Sequence, residues 1–212
     1  MMQTTLTRLC VATAFTFALP SCNANGLLEK LENPCGANCS PQSAADAIYL
    51  FAAATLPNGN IAGYGSGNPR TGADNLCTSS RSGFIFPNNT CSSVRGFISV
   101  TGSDSIAALP LNYSIHTGRA IHGPTGTLIA NDWVDLMDGS IANSLSVAGV
   151  ASVSWWSFSG SNGATANDCS DGTDSTTGTS GIIGIANATN TTWIQGGTDT
   201  CDQTRRVLCL CF

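Results

Sequence analysis

The chain has 212 residues, enough for one domain with a sizeable core once a targeting segment is set aside. Only 10% of its residues are charged, and 8 Lys and Arg face 13 Asp and Glu, so solubility rests on neutral polar groups and the net charge is −5. Such a cation-poor surface excludes nucleic-acid binding through phosphate backbones, which depends on clustered Lys and Arg releasing counterions, and it excludes a strong heparin site for the same reason.

Residues 1–21 read as an export signal. "MMQTTLTR" carries Arg8 and no acid, and "LCVATAFTFAL" is an apolar run of signal-peptide length, too short to span a bilayer. The run stops at Leu19-Pro20-Ser21-Cys22, which resembles a bacterial lipobox, with Pro20 as the departure from its usual form. Processing there would cleave before Cys22 and attach a diacylglycerol to its sulfur; the other reading is ordinary cleavage near Ser21, leaving Cys22 free. Lipidation is adopted, because an unpaired cysteine in an oxidising compartment otherwise lacks a purpose. It implies export, a lipid anchor in the bacterial outer membrane and exposure at the cell surface. Residues 22–46 then form a tether. In it Leu27, Leu28 and Leu31 stand at helical spacing until Pro34 and Gly36 end the pattern. No second cysteine pair or histidine cluster completes a zinc-like spacing with Cys35 and Cys39, so a disulfide is expected there and no metal.

The domain follows, over residues 47–212. "AIYLFAAAT" predicts a strand closed by Pro57-Asn58-Gly59-Asn60. "TGADNLCTSS" predicts a short helix with Thr71 as N-cap and with Leu76 and Cys77 facing inward. Gly96 to Val100 predicts a strand, "ANDWVDLMDGSI" a helix with Trp133, Leu136 and Met137 on one side, and "VSWWSFSG" another strand. From Gly160 to Thr192 the chain is Gly, Ser, Thr, Asn and Asp, expected to form loops around short strands. "RRVLCLCF" is apolar on both faces, the signature of a strand inside a sheet. No repeat period appears. The fold class is α+β: a small twisted, mostly antiparallel sheet with short helices and long loops.

"TGADNLCTSSRSG", "GFISV", "WWSFSGSNGATANDC" and "CDQTRRVLC", in that order, resemble the endostatin-like domain of the leptospiral endostatin-like lipoproteins, over residues 48–212. The set carries the resemblance: Gly72-Ala73-Asp74 ahead of one cysteine, a Trp strand ahead of a second, and a third and fourth, Cys201 and Cys209, further on. The resemblance implies a C-type-lectin-like fold with two nested disulfides, Cys77–Cys209 and Cys169–Cys201. Cys35, Cys39, Cys91 and Cys211 are then left with three possible pairings. Because Cys211 shares a strand face with Cys209, Cys91 just beyond the first helix is its expected partner, which leaves Cys35 with Cys39. Vertebrate endostatin's zinc histidines and heparin-binding arginines have no counterparts: His116 and His122 lie far from the domain's start, and Arg205 and Arg206 are neighbours. Neither zinc nor heparin carries over, and no cofactor is expected.

No G-x-S-x-G, H-E-x-x-H or phosphate-cradling Gly motif is present, so catalysis is not expected. The resemblance to the leptospiral endostatin-like lipoproteins implies a non-catalytic adhesin binding host matrix or plasma proteins of the laminin, fibronectin, factor H and plasminogen class, expected as a monomer. Trp155, Trp156, Trp193 and Tyr113 are possible contact aromatics, with core packing expected for Trp156 and Trp193. Trp155, Asp171 and Asp174 are the binding candidates; the spacing of Asp168, Asp171 and Asp174 otherwise suits a polar turn. The alternatives are a carbohydrate-binding module of the same fold, with or without calcium at "NDW" and the Asp loop, and an envelope lipoprotein without an external ligand.

Overall fold

The structure, a computed structural model, describes residues 47–87 and 91–212. The predicted signal segment, Cys22, the tether, Cys35 and Cys39 lie outside the described residues. Eight strands follow in chain order: β1 (Ile48–Ala52), β2 (Val94–Phe97), β3 (Ile121–His122), β4 (Leu128–Ala130), β5 (Trp155–Trp156), β6 (Ser180–Gly184), β7 (Gly197–Thr200) and β8 (Leu208–Cys211). They form a five-stranded sheet, ordered β2-β8-β1-β3-β4, and a three-stranded sheet, ordered β5-β6-β7. β1 and β3 pair in parallel, and the other strand pairs are antiparallel. With short helices between the strands, the class is α+β.

β8 lies between β2 and β1 with all four residues buried, as its two apolar faces require. Alternation along β1 and β8 sends side chains to opposite faces. Ile48, Leu50, Leu208 and Leu210 join Trp133, Trp155 and Trp193 in one core, while Tyr49, Phe51, Cys209 and Cys211 join Leu76, Trp156 and Phe158 in a second. The larger sheet is therefore a partition between two cores.

Helix α1 (Pro69–Ser80) closes the second core with Ala73, Leu76 and Cys77. It begins one turn before the predicted Thr71 cap. The cap is Asn68, whose side chain accepts the Thr71 N–H at 2.8 Å, and Pro69 supplies the first helical residue, where its missing N–H costs nothing. The helix sits hard against β2, because Gly96 presents no side chain to Ala73: a Cβ on Gly96 would stand 2.5 Å from the Ala73 Cβ. β2 is also shorter than the predicted Gly96–Val100 strand. Beyond Phe97 the backbone leaves the sheet, with Ser99 N–H bonding Ser157 O and Val100 N–H bonding Asp104 O.

The remaining helices are single turns or little more. They are α2 (Leu109–Tyr113), α3 (Trp133–Leu136) and α4 (Cys169–Gly172). The helix predicted across 130–141 is cut to α3, capped by Asp132; Gly139 takes φ +102 and Ile141 N–H goes to Thr189 O. Three disulfides join described residues: Cys77–Cys209, Cys91–Cys211 and Cys169–Cys201, with Cα separations of 5.5, 5.1 and 5.7 Å. They close loops of 132, 120 and 32 residues. Taken singly, loops of that size correspond to about 5, 5 and 4 kcal/mol in the chain-entropy account; the first two overlap and both enclose the third, so the values do not add.

Candidate functional site

The side chains with the most obvious chemistry serve the fold. Trp155, expected at a contact surface, has no exposed area; its Nε1–H bonds Trp193 O at 3.1 Å and its ring lies against Phe97 and Trp193. β5 is covered on both faces, which removes Trp155 from the contact residues. Trp156 and Trp193 are likewise buried. Asp168 caps the turn at α4 by accepting the Asp171 N–H, and burial lifts its carboxyl above the usual carboxylate range despite that bond. Asp174 accepts from Thr176 N–H, Thr176 Oγ1 and Thr179 Oγ1, and the Thr179 and Thr176 bonds pull its carboxyl below that range. Asp171 is exposed, with its carboxylate in solvent. In "NDW", Asn131 and Asp132 are spent around α3: Asp135 Oδ2 accepts from Asn131 N–H and Nδ2, and Asp132 accepts from Asp135 N–H. His122 Nδ1 bonds Gly126 O, and His116 is exposed. Among the described residues no group of three or more His, Cys, Asp or Glu side chains is placed to hold a metal ion.

A charged network also proves structural. Arg70 forks onto Asp104 through Nε and Nη2, both at 2.9 Å, and donates to Gly96 O and Ile98 O at 2.6 and 2.8 Å. Asp74 accepts Gly96 N–H at 2.8 Å and Arg95 Nη1 at 3.1 Å. The outer edge of β2 is thus satisfied by two side chains of α1 in place of a further strand. Tyr113 carries the guanidinium groups of Arg70 and Arg95 near its ring and donates to Asp104. Burial raises the Asp74 carboxyl, although Gly96 N–H, Arg70 and Arg95 oppose it.

What remains open is a groove that no sequence motif announces. A hollow of about 380 Å³ is lined by Ala52 and Ala54 at the end of β1, Phe84, Val150, Ala151 and Arg206. A second, of about 290 Å³, is lined by Val153, Ser154, Ile185 and Asn187; Ser146 and Ser152 line both, so the two run together. The 144–151 segment forms the wall by folding on itself: Ala148 N–H returns to Ser144 O, Val150 N–H to Leu145 O, and Gly149 turns at φ +71. Ser146 N–H ties it to Ala186 O. Val147 and Val153 are 66% and 51% exposed beside these hollows.

Arg206 is held in place. Its Nη1 donates to Ala53 O and Ala54 O at 2.7 and 2.6 Å, and its own carbonyl accepts Trp156 N–H at 2.8 Å. Unlike Arg70, Arg95 and Arg205, which pair with Asp104, Asp74 and Asp199, it has no carboxylate partner among the described residues. Ser152 shares the first hollow with Arg206, Val153 and Ser154 line the second, and the N–H groups of all three make no hydrogen bond within the described residues. The groove has an apolar floor, a pinned guanidinium and unpaired backbone amides; its lining includes no Asp, Glu, His or Cys. Such a surface offers apolar contact and hydrogen-bond donors to a ligand. Neither protein-family models nor curated proteins match this sequence.

Proposed function

We propose that the domain is an endostatin-like module of C-type-lectin-like architecture which, anchored to the bacterial outer membrane through a lipid on Cys22, binds host extracellular-matrix or plasma proteins and catalyses nothing. The fold assignment draws support from a mixed helix and sheet body in which Cys77–Cys209 encloses Cys169–Cys201. The binding function is carried by one observation: a hollow of about 380 Å³ is an open groove with an apolar floor, beside exposed Val147 and Val153, on a body braced by disulfides. Exposed aliphatic side chains beside a concave surface suit a macromolecular partner. Arg70, Asp74, Asp168 and Asp174 are occupied by edge-strand, cap and turn hydrogen bonds.

The test is saturable adsorption of the lipid-free chain, residues 23–212, to laminin, fibronectin, factor H and plasminogen. Binding to at least one of them that is lost on reduction and denaturation is expected, together with protease accessibility of the domain on intact cells. Signal no higher than the denatured control for all four, or a domain shielded on intact cells, overturns the reading.

A further inference from the structure

The groove beside Arg206 specifies more than apolar contact. We infer that it binds an extended peptide segment bearing an acidic side chain, with the carboxylate on Arg206, an adjacent aliphatic side chain on the floor of Ala52, Val150 and Ala151, and the peptide backbone along Ser152–Ser154. The inference rests on the proposed protein-binding function and names the feature of the partner that the site reads.

Three observations converge. First, Arg206 is oriented before any ligand arrives: Nη1 is committed to Ala53 O and Ala54 O, which leaves Nε–H and the Nη2 N–H groups without a bond inside the described residues. That is the side of a guanidinium that fits a carboxylate with two parallel hydrogen bonds. A chain of net charge −5 whose Arg70, Arg95 and Arg205 are ion-paired offers this group as a cation in need of an anion. Second, the N–H groups of Ser152, Val153 and Ser154, at a bend that leads into β5, are unpaired and available as donors to the carbonyl groups of a peptide backbone. Third, the floor consists of small side chains, with Ser146 and Ser152 bridging the two hollows, so an elongated ligand can pass from one into the other. A compact anion such as phosphate would satisfy Arg206 and leave the floor and the amides unused.

The probe is the peptide acetyl-Thr-Leu-Asp-Leu-Thr-amide, titrated into the ¹⁵N-labelled chain of residues 23–212 and followed by NMR and calorimetry, beside the same peptide with Asn for Asp. Expected is binding of the Asp peptide with shifts centred on 146–154 and on the Arg206 Nε–H, weakened at least about tenfold by the Asn replacement or by Arg206→Gln, in line with loss of a charge-assisted pair. Val153→Glu, at an exposed position, preserves the spectrum elsewhere and also weakens the Asp peptide by electrostatic repulsion. Equal affinity for the two peptides, or shifts centred elsewhere, overturns the inference. Inorganic phosphate producing the same shifts with equal affinity overturns it in favour of a simple anion site. Groove resonances of the free chain that move on Glu32→Gln overturn it by seating the chain's own N-terminal segment there. Matrix-protein binding that survives Arg206→Gln and Val153→Glu sinks this inference and leaves the proposed function standing; peptide binding without matrix-protein binding does the reverse.

Discussion

Asp174 shows how a residue that looks like part of a binding cluster is consumed by its own turn. Three donors, from Thr179 Oγ1, Thr176 N–H and Thr176 Oγ1, converge on one carboxylate, and the charged form is the one they favour. A carboxyl lowered in the folded state contributes stability above its unfolded value, and that contribution is lost as pH falls through the lowered one. In a pH titration followed by NMR, the Asp174 carboxyl carbon should titrate below the usual carboxylate range, and Thr176 N–H should move and exchange faster only once Asp174 protonates. Titration of Asp174 within the usual carboxylate range would contradict the assigned turn. Trp155 is the complementary residue: a large aromatic in a polar stretch suggests an exposed anchor, but two consecutive Trp on one strand must face opposite ways, and here each way leads into a core.

At the scale of elements, the contact of α1 with β2 is set by two small residues and two charged ones. Gly96 and Ala73 permit the approach, and Arg70 and Asp74 supply the hydrogen bonds that β2's outer edge lacks. Gly96→Ala should therefore lower stability by about 1–3 kcal/mol in denaturant unfolding, as overpacking does. Ala73→Gly in the same chain should recover part of that loss despite its helix-propensity cost of about 1 kcal/mol; strictly additive effects would show that the two positions do not meet. The sequence displays this arrangement only in part. The apolar runs of β1 and β8 are plain from their composition, and Leu76 and Cys77 point inward as their spacing demands. The true start of α1 was written in Asn68-Pro69, a cap followed by a residue suited to the first helical position, and Thr71 was the weaker sign. β2 and α3 end where tertiary partners capture the backbone, Ser157 and Asp104 for one and Thr189 for the other, and no local pattern encodes those partners. The groove left no trace because its walls are Ala, Ser, Gly and Val, while Arg206 becomes conspicuous only when its lack of a carboxylate is seen in three dimensions.

Across the whole of the described domain, the Gly- and Ser-rich 160–192 region is fastened by β6 between β5 and β7, by backbone hydrogen bonds and by one disulfide. Cys169–Cys201 is the strongest of these, and both of its sulfurs lie in the second core. Replacing both cysteines by Ala should cost about 2–4 kcal/mol in unfolding free energy. In hydrogen exchange the loss should concentrate in 168–182 and 197–203, with β1 and β8 still protected. Uniform loss of protection across β1 and β8 would show instead that the two sheets unfold as one cooperative unit.

The three described disulfides share an asymmetry along the chain: Cys77, Cys91 and Cys169 all precede partners that lie beyond residue 200. During synthesis the chain emerges from its N-terminus, so each early cysteine waits for a late one. An oxidant that joins thiols in order of arrival would link Cys77 to Cys91, a bond absent from the folded domain, and thiol–disulfide exchange would then have to undo it. Oxidative refolding with an oxidant alone should therefore yield a mixture of isomers, which a thiol–disulfide exchange buffer converts to the three pairings of the folded domain.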